Sequence, residues 1–156
     1  MKDKLLISGE IEDGWTNINF IFGDDSLEIR TSYIFDGLEN LLVAISLLNK
    51  GLCETETTLI DEPTEHILHF KKSGESDNLT ITFFKFENYN GIPLRDRIIK
   101  EHKSNFEIFT DLKRLTIQVF NLFEYFKNSY GLDGYEEKWR HKFPADKLKE
   151  LKNNWR

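Results

Sequence analysis

The hydrophobic period of this chain runs at two, then about 3.6, then two, then about 3.6 again. Trp15–Phe22 puts Ile18, Phe20 and Phe22 on one face and Asn17 and Asn19 on the other. Leu27–Tyr33 alternates likewise, with Leu27, Ile29, Thr31 and Tyr33 opposite Glu28, Arg30 and Ser32. The apolar run Leu5–Ile11 precedes them. Asp13-Gly14 and Gly23-Asp24-Asp25-Ser26 are turn signals between the runs. Three strands joined by tight turns predict an antiparallel meander.

The period then lengthens. Leu38, Leu41, Leu42, Ile45 and Leu48 recur at helical spacing, with Asp36 as N-cap, Glu39 placed for a capping box and Gly51 at C′. Val43, Ala44 and Leu47 make this helix apolar nearly all round, which predicts burial on more than one side. Strand-like runs resume at 52–60, 65–71 and 79–87, and a last one is expected over Asn105–Phe109. Between them, Asn88–Lys103 reads as a long loop. A second helix is expected from Thr110 or Asp111 to about Tyr130, ended by Gly131. Short helices are expected around Tyr135–Arg140 and after Pro144.

Strand runs kept apart from helices argue for α+β rather than α/β. The expected architecture is one domain over residues 1–156. It holds a single antiparallel sheet of six or seven strands, two apolar helices on one face and a short helical C-terminal tail. Phe83 against Phe84 and Phe86 puts large rings on both faces of one strand, so the sheet's second face is expected to be partly covered, by the tail or by a partner. Trp155 is read either as an anchor that docks the tail or as an exposed residue.

Charge narrows the function classes. The net charge is −6, but residues 1–90 hold 17 acids against 7 bases and residues 91–156 hold 10 against 14. The acidic part would repel phosphate backbones, which argues against nucleic-acid binding; such a surface either serves solubility alone, the commoner case, or attracts a basic protein partner. The longest uninterrupted apolar run, Leu41–Ile45, is far below the roughly 20 residues of a membrane span. The opening residues carry too short an apolar run for a signal peptide. Cytoplasmic location is the expectation, with no membrane association. The lone Cys53 has no intramolecular disulfide partner and is expected as an inert core thiol on a strand.

Chemistry-bearing patterns are sparse. His66 and His69 stand i, i+3 on a strand, so their rings point to opposite faces unless a bulge intervenes, and metal binding is not expected. His102 and His141 lie in polar stretches without a nucleophile-elbow pattern near them. The acid pairs Asp24-Asp25, Asp61-Glu62 and Glu136-Glu137 read as solvated charges. Gly9-x-x-x-x-Gly14 is followed by Trp15 and fails the phosphate-loop pattern. No catalytic residue, metal ligand or cofactor is assigned.

The stretch 31–51, in which a strand ends in Ser32-Tyr33, Asp36 caps an apolar helix and Gly51 closes it, resembles a pattern in small uncharacterised bacterial proteins. The run Tyr130-Gly131-x-x-Gly134-Tyr135-x-x-x-Trp139, with Phe143-Pro144, is similar to the ends of the same proteins. In size and charge such chains are similar to immunity proteins of bacterial toxin systems. That resemblance implies a small cytosolic α+β domain that blocks a toxin by binding it.

Three functional expectations follow. The first is a non-enzymatic, immunity-type module that occludes a basic toxin through Asp24, Asp25, Glu28, Glu54, Glu56, Asp61, Glu62 and Glu65. The second is a small hydrolase or ligand-binding domain using His66, His69 or His102 with carboxylates. The third is a structural homo-oligomer built on the aromatic second face.

Overall fold

The computed structural model describes residues 5–88, 92, 96 and 104–155, and the side chains of all of these but 104 and 105. The loop expected over Asn88–Lys103 lies outside the described residues except for Asn88, Ile92 and Asp96, and so do Tyr89 and His102.

The first meander forms as its alternation dictates. Strands β1 (Leu5–Glu12), β2 (Trp15–Phe22) and β3 (Asp25–Ser32) pair antiparallel in that order. Asp13 and Gly14 both take positive φ, 51° and 81°, as a two-residue type I′ hairpin requires. Helix α1 (Gly37–Asn49) begins where Asp36 accepts from the Glu39 N–H at 3.1 Å. A second antiparallel set follows, in the order β4 (Glu54–Asp61), β5 (Thr64–Lys72), β6 (Asn78–Phe86) and β7 (Ser104–Asp111). Helix α2 (Leu112–Trp139) is interrupted at Gly131, whose φ of 74° and ψ of 172° are not helical, and α3 (Ala145–Asn154) ends the chain. The α+β class therefore holds.

The single sheet of six or seven strands does not. Among the described residues seven strands are present, but they form one sheet of three and one of four. Backbone pairing stops between β3 and β4, and a side chain takes its place. The Thr31 hydroxyl donates to the Ile60 carbonyl at 3.2 Å and accepts from the Ile60 N–H at 3.0 Å. The inner faces of the two sheets then meet, with Phe20 of β2 edge-on to Phe83 of β6 at 5.0 Å between ring centroids. Buried residues from both sheets and all three helices join one hydrophobic cluster.

Cys53 also departs from expectation. It lies in a bend just before β4 and is exposed, because the strand starts at Glu54, two residues later than the expected run from Leu52. The second face of the four-stranded sheet is covered in part, since Ile60, Ile67 and Phe86 are buried there. Phe84 is half-buried beside them, so that face is not an open aromatic platform.

The C-terminal segment docks through its rings. Tyr135 packs against Phe143 at 5.1 Å, and Trp155 lies on Phe120 at 5.6 Å. Trp139 is fully buried and donates its indole N–H to Asp36 Oδ1 at 2.9 Å, tying the end of α2 to the start of α1.

Candidate functional site

The acids named from the sequence occupy the solvent side of both sheets and two turns. Asp24 and Asp25 sit at the β2–β3 turn, Glu28 on the outer face of β3 and Glu62 in the β4–β5 turn, all exposed. Glu54 and Glu56 share the outer face of β4, and Asp61 ends that strand half-buried. Glu65 stands apart: at 1% exposure its carboxyl does not reach the surface. Cations break the acidic field. Lys71 lies directly across from Glu54, and the Arg30 guanidinium stacks over the Trp15 ring at 4.0 Å. Glu54 accepts from the His69 ring at 2.9 Å, and that hydrogen bond holds its carboxyl below the usual range.

The histidines do not converge. His69 shares the outer face of its sheet with Glu54 and Glu56, whereas His66 faces the opposite side, paired with Leu59 and Lys85. Burial pushes the His66 pKa down, the nearby Lys85 adds to that, and Asp61 opposes it. His141 lies elsewhere, beside Asp36 and the Tyr33 carbonyl. Among the described residues no group of three or more His, Cys, Asp or Glu is placed to hold a metal ion. A histidine–carboxylate site built on His66 and His69 therefore has no geometric basis.

A different arrangement appears at the outer edge of β1, where no candidate residue was expected. Strand β1 is an edge strand, and its odd-numbered residues turn their N–H and C=O groups away from β2. Such groups normally invite pairing with another chain. Helix α2 covers them with side chains. Arg114 Nε donates to the Leu5 carbonyl at 2.9 Å, Gln118 Oε1 accepts from the Ile7 N–H at 3.0 Å, and Tyr130 Oη accepts from the Ile11 N–H at 3.1 Å. Gly9, between Ile7 and Ile11, is buried as a residue, but no side chain among the described residues hydrogen-bonds its backbone as at Leu5, Ile7 and Ile11. A cleft of about 480 Å³ opens there, lined by Ser8, Gly9, Glu10, Asn19, Asn121 and Tyr125 together with the buried side chains of Ile7 and Leu122.

Glu10 is the charged residue of that lining. Its carboxylate accepts from the hydroxyls of Tyr125 and of Tyr130, the latter at 2.6 Å. Those two bonds favour the ionised form and hold its pKa below the usual carboxylate range, Tyr125 contributing most. Burial first, and the bond to Glu10 second, push the Tyr130 phenol up to about 12, so it stays a donor at neutral pH. Lys138, over the Tyr130 ring at 5.2 Å, adds a cation to the surroundings of this carboxylate without lining the cleft. No local pattern could have disclosed the group, because the partners are more than 100 residues apart in sequence.

No family model and no curated protein matches the chain. Among solved structures, a chain of the CdiA-CT/CdiI toxin and immunity complex from Enterobacter cloacae is similar to it over 78% of this chain and 99% of that one, at 12% identity and a TM-score of 0.49. No helix among the described residues is long and apolar enough to cross a membrane.

Proposed function

We propose that this chain is a non-enzymatic binding module for a basic protein, acting as an immunity-type protein that covers the positively charged cleft of a toxin. The observation that supports it is the exposure of Asp24, Asp25, Glu28, Glu54 and Glu62, with Glu56 half-buried near Glu54 on β4 and Asp61 half-buried next to Glu62. Carboxylates so placed raise the encounter rate with a cationic partner and exclude acidic ones. The mechanism is steric occlusion of the partner's working surface, with charge setting orientation.

The test is capture from the native lysate on immobilised protein, at low and high salt, beside a variant carrying Asp24→Lys, Asp25→Lys and Glu28→Lys. One stoichiometric basic partner is expected, released by salt, lost from the variant, and inhibited by one equivalent of the wild-type protein. A partner held equally by the charge-reversed variant at high salt refutes the acidic surface. A partner whose activity is unchanged on binding refutes the immunity role.

A further inference from the structure

The cleft beside β1 combines three features that together specify a ligand. The first is a unit of strand edge left unpaired among the described residues. Leu5, Ile7 and Ile11 show which way the odd residues of β1 direct their backbone, and Gly9 shares that parity, so its N–H and C=O face the cleft. The second is length. Gln118 closes the edge at Ile7 and Tyr130 closes it at Ile11, and four residues of strand span only about 13 Å. A long added strand has no room, whereas one extended residue fits. The third is charge: Glu10 is anionic and preorganised by two tyrosine hydroxyls, and among the described residues no cation lines the cleft, Lys138 standing near the carboxylate but outside the lining. Each carboxylate oxygen takes one tyrosine bond and keeps further acceptor capacity.

We propose that this cleft binds a single basic residue of a peptide, an arginine or lysine at a turn or chain end. Its backbone N–H and C=O pair with those of Gly9, and its cationic side chain meets the Glu10 carboxylate. Asn19 and Asn121 offer donors and acceptors to the flanking peptide groups. The volume lies within the roughly 300–1,000 Å³ of small-ligand sites. Gly9 itself is fixed by the sheet: a Cβ there would come within 2.8 Å of the Asn17 carbonyl oxygen. As the contact point of the basic partner proposed above, the site rests on that reading. As a chemical site it does not.

The experiment is an amide NMR titration of the whole protein with N-acetyl-arginine N-methylamide, with the norleucine and glutamate analogues as comparators. Saturable movement of the Gly9 amide signal is expected with the arginine probe. Binding should be about threefold to fivefold weaker with norleucine, as befits a partly exposed ion pair, and absent with glutamate. Glu10→Gln should bring arginine down to the norleucine level. Asn121→Trp, at an exposed helix position, should block the cleft while leaving the rest of the spectrum in place. A Gly9 signal that does not move, equal affinity for arginine and norleucine, or an unchanged arginine affinity in Glu10→Gln overturns the proposal. If the probe binds but no basic protein is captured, the immunity reading falls and the site stands. If a basic protein is captured through the acidic surface while the probe fails, the reverse holds.

Discussion

Replacing Asp36 by alanine should destabilise the fold by about 2–4 kcal/mol. Its Oδ1 atom accepts two hydrogen bonds at once, from the Glu39 N–H at 3.1 Å and from the Trp139 indole at 2.9 Å. Loss of an N-cap costs about 1 kcal/mol. An orphaned buried donor costs about 1–3 kcal/mol more, and Trp139 is fully buried. For a chain of this length each kcal/mol moves the melting temperature by roughly 2–4 °C, so a drop of about 4–16 °C is expected. Asp36→Asn is the informative control. Asparagine keeps an oxygen that can accept both bonds and loses only the longer approach of Oδ2 to His141 Nδ1 at 3.9 Å, so it should stay within about 1 kcal/mol of wild type. Urea unfolding followed by circular dichroism measures both, and Trp139→Phe completes a double-mutant cycle in which the pair should couple by about 1 kcal/mol or more. If Asp36→Asn proved as damaging as Asp36→Ala, charge and not the shared acceptor would be the source. If Asp36→Ala cost under about 0.5 kcal/mol, the tie between α1 and the end of α2 would carry no stability.

Two further outcomes follow from the geometry. Thr31→Val preserves shape but removes the hydroxyl that serves both backbone groups of Ile60; a loss of about 1–3 kcal/mol and faster amide exchange at Ile60 are expected, and unchanged exchange would show that β3 and β4 hold together without it. Burial keeps His66 below its ordinary pKa, so the folded state binds fewer protons than the unfolded one, and stability should fall as pH drops below about 6.5. Urea midpoints between pH 7.5 and 5.5 should show a shallower slope for His66→Gln, and an identical slope would place the pH dependence elsewhere.

Local patterns along the chain determined a good deal. The alternation in β2 and β3, the Asp13-Gly14 turn, the cap at Asp36, the stop at Gly51 and the break at Gly131 all act over a few residues, and each is where the residue types place it. The same alternation sends His66 and His69 to opposite faces. Everything that depended on partners far apart in sequence was decided by tertiary structure. Period-two patterning says that a strand has a buried face but not which strand it pairs with, so the division into sheets of three and four, bridged by one threonine hydroxyl, had no local signature. Glu65 alternates like its acidic neighbours, yet it is buried, because the outer face of its sheet is covered at that point. Glu10 reads as one more outward-facing acid on a strand. Only the packing of α2 along the β1 edge gives it two tyrosine donors and walls the cleft at Gly9, since hydrogen bonds across that edge join residues more than 100 positions apart.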